Sequence, residues 1–349
     1  MPVSPESPSA IRNIDQLLTG VGLTHGRRKL MAAGLERQPR HPMQATDSRR
    51  GAMRQRNRIE VIRSPLFEEI PWLISGFSTR AGGRSTAYNP GQSTGELNLG
   101  FTAADDRKTV LANRRLFLRQ IAGDPEFPMV TLKQIHSSLI RTVKREDAGE
   151  DAGQLIHEYK ADGMMTDEPG LLLAIQTADC IPVLIADRKR RAVAAFHAGW
   201  RGTLKRIVEN GVGRMRLEFG SKPKNLVAAI GPGIGQCCYA VGEEVRSEFL
   251  SQFAYAQELF RDVYDSDPVR EKYPLLFMTA RAPGHSDMGP SLHLDLVEAN
   301  RRQLLDAGLK PESISVAGQC TSCHNSRFFS YRADHGFTGR MLSVIGVRD

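Results

Sequence analysis

The stretch QTADCIPVLIADRKRRAVAAFHAGWRG, residues 176 to 202, decides the fold class. Two apolar runs, Ile181 to Ala186 and Ala192 to His197, flank a short charged tip, the pattern of two strands joined as an antiparallel hairpin. The connection is too short for a crossover helix, so a purely parallel sheet is excluded. With Arg188 and Lys189 at the tip, Cys180 faces His197, and a four-residue tip from Asp187 to Arg190 keeps that register. Directly opposed residues share a face with Cβ atoms about 4.5 to 5.5 Å apart, close enough for a thiol and an imidazole to share a proton or a metal ion. At the open end, Gly199 and Gly202 permit close backbone approach and Trp200 offers an aromatic wall.

Outward from this hairpin the chain alternates short apolar runs with amphipathic segments, which reads as mixed α+β. Further strands are expected at Ile74 to Ser78, Met129 to Leu132, Leu171 to Thr177, Leu226 to Ile230, Ser313 to Ala317 and Leu342 to Val347. Helices are expected at Asp106 to Ile121, Thr203 to Phe219, Gly242 to Phe253 and Asp295 to Ala307, with Asp295 as an N-cap. Two long loops are expected, Arg145 to Gln154 and Asp262 to Ser291. With 349 residues, 40% hydrophobic and 25% charged, the chain is large enough for a substantial core.

The formal charge of +8 is concentrated at one end, because residues 1 to 60 hold eleven Lys or Arg against five acids. Residues 1 to 57, rich in Pro, Ser, Gln and Arg, therefore read as a flexible basic leader making at most weak anionic contacts, and residues 58 to 349 as the catalytic domain. The body is nearly neutral and carries no basic stripe with interleaved aromatics, which speaks against nucleic acid as a partner. The longest apolar tract, Leu171 to Ala186, is interrupted by Gln176, Thr177 and Asp179, so no membrane span is expected. Five cysteines at scattered spacing, with no secretion signal ahead of them, read as reduced thiols in the cytoplasm.

A lone Cys and His are ordinary core residues, so KQIH at 133 to 136 carries weight. His136 follows a strand and would complete a set of His136, Cys180 and His197. Three such ligands bind zinc and leave a fourth tetrahedral position for substrate. A thiolate with two imidazoles suits copper as well, and the residues alone do not choose.

The runs GFSTRAGG, LNLG, TLKQIH, TADCIPVLIAD, AAFHAGWRG, AAIGPGIGQCCYAVGEEV, LDLVEANRRQLL and GQCTSCHNSRFFSYRADHGFTGRMLSVIGV resemble, in order, the YfiH-like family, also called the laccase-domain or polyphenol oxidase family. The resemblance covers roughly Phe77 to Val347. It implies a single-domain, layered αββα sandwich of mixed, largely antiparallel sheets, with zinc held by His136, Cys180 and His197. It also implies a purine nucleoside phosphorylase acting on adenosine, guanosine, inosine and methylthioadenosine with phosphate, together with adenosine deaminase activity. The older family name keeps a copper-dependent polyphenol oxidase as an alternative. A metal-free cysteine hydrolase, with Cys180 as nucleophile and His197 as base, is another.

On that reading, zinc is a Lewis acid suited to deamination at C6 of adenine. Phosphorolysis further needs a proton for the departing purine and positive charge to bring phosphate to C1′. Asp179, beside Cys180, is the proton-transfer candidate, and it also reads as a turn cap. Arg80, Arg114 and Arg201 are candidates for phosphate or ribose contacts, because a guanidinium fork matches phosphate oxygens. CTSCH at 320 to 324 fits a haem-attachment pattern, but without an export signal it reads as a buried cysteine pair packed by Phe328, Phe329 and Tyr331. A redox or structural-metal pair is the other option. Cys237 and Cys238 would be a second pair, although they lack C-x-x-C spacing. GPGIG at 231 to 235 reads as a tight turn, since no Lys and Ser/Thr follow as in a P-loop.

Overall fold

The structure, a computed structural model, describes residues 58–89, 91, 94–149, 159–263 and 290–349. The leader expected over residues 1 to 57, the second half of the first expected long loop (150–154) and nearly all of the second (264–289) lie outside the described residues. The ends of the second expected loop are strands rather than loop, since Phe260–Val263 pairs antiparallel with Ser291–Leu294.

Two sheets dominate. The first has five strands: β1 (Val61–Ile62), β2 (Leu73–Ser78), β4 (Met129–Thr131), β7 (Leu171–Thr177) and β14 (Met341–Val347), in the order β1-β2-β14-β7-β4. The second has six: β5 (Ile140–Thr142), β6 (Gly163–Thr166), β8 (Ile181–Asp187), β9 (Val193–Ala198), β10 (Leu226–Ile230) and β13 (Ile314–Val316), in the order β13-β10-β8-β9-β6-β5. Most pairings are antiparallel, while β4 with β7, β5 with β6 and β10 with β13 are parallel. β3 (Ala81–Ser85) and the pair β11 (Phe260–Val263) and β12 (Ser291–Leu294) complete the strands. Among the described residues six helices occur: α1 (Pro65–Glu68), α2 (Arg107–Ala122), α3 (Trp200–Leu204), α4 (Ile207–Phe219), α5 (Glu243–Gln252) and α6 (Leu296–Asp306).

The period-two alternation of the strands produces the layers. On β7, Leu171, Leu173 and Ile175 face the other sheet and pack with Leu184, Ala186, Val193 and Ala195. Leu172 and Ala174, on the opposite face, meet Phe117, Leu118 and Ile121 of α2. On the far side of the second sheet, Val183, Ile185, Ala194 and Phe196 pack against Val208, Val212 and Met215 of α4 and against Leu296 and Leu304 of α6. The result is helix, sheet, sheet, helix. The unbroken apolar run of β7 reflects burial on both faces, and no helix among the described residues is long and apolar enough to cross a membrane. Each fully buried Leu, Ile or Phe contributes on the order of 1.5–3 kcal/mol.

The helices start where their caps place them. The Asp106 carboxylate accepts the Thr109 N–H at 3.0 Å and the Asp295 carboxylate the Glu298 N–H at 2.9 Å, each cap worth about 1 kcal/mol. The expected helix from Thr203 to Phe219 is instead two, α3 and α4, broken at Arg206, whose φ is 57°. At the break the Thr203 carbonyl accepts from the Arg206 amide at 2.9 Å and from the Gln303 side-chain amide at 2.7 Å.

The hairpin register also differs from expectation. Pro182, rather than Cys180, lies opposite His197, and Ala186 pairs with Val193. The cause is the turn: the Asp187 carboxylate accepts from the Lys189 and Arg190 amides at 2.8 and 3.0 Å, and Arg191 takes the left-handed conformation at φ 55°. The loop therefore runs from Arg188 to Arg191, one residue later than the expected tip. A slip of two residues preserves the face, so Cys180 moves one diagonal step from His197 and comes to lie beside Gly199.

Candidate metal centre

The chain passes from the first sheet to the second through Ala178, Asp179 and Cys180, between β7 and β8. His136 arrives from the segment after β4, and His197 sits near the end of β9. The ligand atoms of His136, Cys180 and His197 all lie within 4.8 Å of one another. The Cys180 sulfur is 3.9 Å from His136 Nε2, and the two imidazoles meet edge to face at 4.8 Å between centroids. Gly199 makes this packing feasible. A Cβ there would lie 3.0 Å from the Cys180 sulfur and 3.2 Å from His136 Cδ2.

Behind the three stands Asp162, fully buried, a residue not singled out from the sequence. One carboxylate oxygen accepts from His197 Nδ1 at 2.8 Å and from the His136 amide at 2.9 Å. The other accepts from the Ser137 amide at 2.6 Å and the Ser137 hydroxyl at 2.7 Å, and from the Ile135 amide at 3.2 Å. These bonds offset the left-handed backbone of His136, φ 57°, a conformation that non-glycine residues adopt only when neighbours enforce it. They also fix the His197 ring, occupying Nδ1 and presenting Nε2 towards the thiol. Burial works against the Asp162 carboxylate, but the His197 and Ser137 hydrogen bonds outweigh it and bring its pKa to about 2.

The thiol and imidazole shift each other. Burial opposes the Cys180 thiolate, yet the positive charge of His197 and hydrogen bonds to both imidazoles lower its pKa to about 6. Burial opposes the imidazolium of His197, and the Cys180 and Asp162 charges raise it to about 9. The donor set fits a metal: one thiolate and two imidazoles converge, and a carboxylate behind one imidazole fixes its tautomer, as around metal-ligating histidines. His197 is buried, Cys180 half-buried and His136 exposed, so one side stays open. Zinc bound by three protein ligands keeps such a position for substrate.

The other expected site residues separate into two groups. Asp179 adjoins the centre with φ 87°, but its carboxylate accepts from the Thr321 hydroxyl at 2.6 Å, the Ser330 hydroxyl at 2.7 Å and the Arg332 amide at 2.6 Å. Both of its oxygens are thus engaged in anchoring the turn between β7 and β8 to the loop that carries these three residues. Arg201 stacks on Trp200 at 4.3 Å and shares the surroundings of Tyr239. Burial raises the pKa of that phenol, the Cys180 and Asp179 charges raise it further, and Arg332 and Arg201 oppose them. Tyr239 and Arg332 thus join the neighbourhood of the thiol, and neither was singled out from the sequence.

Arg80 and Arg114 have structural partners instead. The Arg80 guanidinium donates to Glu96 at 2.6 Å, to the Asn325 carbonyl at 2.9 Å and to Asp334 at 3.5 Å, and it lies 4.8 Å from the Phe329 ring. Arg114 is fully buried on α2, donating to the Leu99 carbonyl at 2.8 Å and stacked on Phe101 at 4.3 Å. Both guanidinium groups, expected as phosphate or ribose contacts, are engaged with protein partners. The Cys320 and Cys323 pair is likewise not buried by aromatics: Cys323 is exposed, as is Tyr331, while Phe328 and Phe329 pack into a separate cluster with Met341.

A two-sheet sandwich holding a His, Cys, His centre, where the chain crosses between the sheets, defines a class of proteins. The chain belongs to the laccase-like YfiH family, whose model, described as multi-copper polyphenol oxidoreductase laccase, matches residues 74–348. It is 35% identical over 280 residues to purine nucleoside phosphorylase YlmD of Geobacillus stearothermophilus, covering 79% of this chain and 90% of that protein. It is 34% identical over 278 residues to the Bacillus subtilis protein of the same name, covering 79% and 89%. The crystal structure of Bacillus licheniformis hypothetical protein YfiH superposes with a TM-score of 0.66 at 33% identity, covering 80% of this chain and 95% of that one.

Proposed function

We propose that the chain is a cytoplasmic, zinc-dependent purine nucleoside phosphorylase that cleaves adenosine, guanosine, inosine and methylthioadenosine with phosphate and also deaminates adenosine. The observation that carries this reading is the convergence of His136, Cys180 and His197, backed by Asp162, on one open side. The printed names of the relatives supply the substrate class. Five free cysteines favour a reducing compartment.

Zinc at His136, Cys180 and His197 would supply Lewis-acid polarisation of an acceptor atom on the bound nucleoside. The chain's own residues do the rest. Asp162 keeps the proton of His197 on Nδ1, away from the centre. Trp200 and Tyr239 offer aromatic surface to a purine, and Arg201 brings a guanidinium that suits phosphate. Asp179 holds the Cys180 backbone by tying the preceding residue to the loop that carries Thr321, Ser330 and Arg332.

A second reading, a copper-dependent polyphenol oxidase, is favoured by the description of the family model and by a donor set that suits copper. The Cys180, His197 and Asp162 series also has the order of a cysteine hydrolase. The second imidazole, 3.9 Å from the same sulfur, has no part in that chemistry, so the metal reading explains more of the site. The test is to incubate metal-defined protein with adenosine, with and without phosphate, and to separate adenine from inosine. Adenine formed only with phosphate supports phosphorolysis. Oxidation of a phenol by the copper-loaded protein, with no purine product from the zinc-loaded one, overturns it.

A further inference from the structure

Away from the first centre, Cys237, Cys238, Cys320 and Cys323 bring four sulfurs within 4.8 Å of one another. Cys237 and Cys238 come from the turn after β10, while Cys320 and Cys323 come from the loop after β13. The two segments are bridged between Gly233 and Cys320. The Cys323 sulfur lies 3.4 Å from that of Cys237 and 3.3 Å from that of Cys238. A disulfide needs about 2.05 Å, and a sulfur almost equidistant from two others shares a centre with both rather than pairing with one. A tetrahedron of zinc–sulfur bonds of about 2.3 Å places its sulfurs about 3.8 Å apart, so the cluster encloses room for one ion.

We propose that these four cysteines form a second metal site, a closed tetrathiolate that holds one zinc ion. One sulfur already has a backbone donor, the Gly235 amide 3.2 Å from that of Cys320. Gly235 leaves the space, since a Cβ at that position would lie 3.1 Å from Cys320 Cβ and 3.2 Å from the Cys237 sulfur. Binding displaces the thiol protons into solvent, and the exposed Cys237 and Cys323 let water solvate the resulting negative charge. Four sulfur ligands leave no vacancy, so the ion is structural. Its function is to clamp two segments that serve the first centre: the turn that continues into Tyr239, and the loop whose Thr321, Ser330 and Arg332 hold Asp179. The proposal stands whether or not the first centre performs phosphorolysis.

The test is zinc content of the full chain purified under reducing conditions. About two zinc equivalents per chain are expected, one for each site. Cys237→Ser with Cys323→Ser should remove one equivalent, and Cys180→Ser with His197→Ala should remove the other. In the zinc-loaded wild type the four thiols should resist alkylation, and after cobalt exchange the sulfur-to-cobalt charge-transfer absorption should weaken mainly in the Cys237→Ser, Cys323→Ser protein. If that double variant does not fold, the alkylation and intact mass of the wild type decide. One zinc equivalent or none with these four thiols reacting as in unfolded chain overturns the proposal, as does a mass lacking the hydrogens of one or two disulfides.

Discussion

The centre at His136, Cys180 and His197 and the cluster at Cys237, Cys238, Cys320 and Cys323 are linked through the loop that holds Asp179, yet they are built on different terms. The first mixes sulfur with imidazole, rests on a fully buried carboxylate and exposes one of its ligands. The second is all sulfur and takes its support from a backbone amide. Three mixed ligands leave a coordination position in which chemistry can happen, whereas four thiolates close the shell and leave only cohesion. The comparison teaches that neighbouring clusters in one fold can be assigned opposite roles from donor count and backing alone, and each role predicts a different loss.

The sharpest break would come at the sulfur of the first centre. Cys180→Ala should lower phosphate-dependent release of adenine by on the order of 10³-fold, as expected for a group acting as part of a unit, while the melting temperature moves little. Wild-type turnover in this variant would remove the catalytic role from the centre altogether. Asp162→Asn comes next. Its amide nitrogen would face donors from His197 or from the 135 to 137 backbone, so the His197 ring loses its fixed orientation. Zinc affinity of the first centre, followed by competition with a chromophoric chelator, should weaken by about 10–100-fold. The second centre should keep its zinc. Equal loss from both would mean that they are not separate.

Cys323→Ser inverts the pattern. With one of four ligands gone, the clamp between the Tyr239 turn and the 318 to 335 loop loosens. Thermal unfolding should shift down by several degrees, roughly 2–4 °C for each kcal/mol in a domain of this size class. Turnover should fall by less than about threefold, in keeping with a residue outside the reacting shell. A large loss of turnover at unchanged melting temperature would move Cys323 into the chemistry.

How far each region was legible follows from what sequence encodes locally. The strands β7, β8, β9 and β14 were readable as short apolar runs, because both their faces are buried, while their layering came from the family resemblance. Cys180 and His197 were readable because they sit beside or in the β8 and β9 hairpin, and His136 because KQIH follows the apolar run at β4. Asp162 was not: it stands in a short linker before a strand of only four residues, Gly163–Thr166, and its importance comes from five donors that tertiary structure gathers around it. A lone acid between Ala161 and Gly163, followed by an apolar pair, was the one available signal. The hairpin slipped by two residues because its turn is made by the Asp187 side chain rather than by an Asn-Gly pair. The second cluster was half visible. Its C-x-x-C spacing could be seen, but the partners at 237 and 238 lie more than eighty residues away and lack that spacing.

Arg80 offers the smallest and most discriminating measurement, because it contrasts a residue expected at the site with what the fold does with it. Its side chain is 12% exposed and is paired with Glu96 at 2.6 Å, and further bonds lead to the Asn325 carbonyl and Asp334. A guanidinium held this way has few donors left for a substrate. Arg80→Gln should therefore cost stability, about 1–3 kcal/mol for the hydrogen-bonded charge it removes, while the KM for phosphate changes by less than about twofold. A direct phosphate contact predicts the reverse, since losing a bidentate, charge-assisted contact weakens binding by roughly 1.5–3 kcal/mol, or about 10- to 150-fold. Steady-state kinetics at varied phosphate, alongside thermal unfolding, separates the two. A raised KM at unchanged melting temperature would return Arg80 to the substrate and extend the first region of the comparison across the β2 to β3 corner.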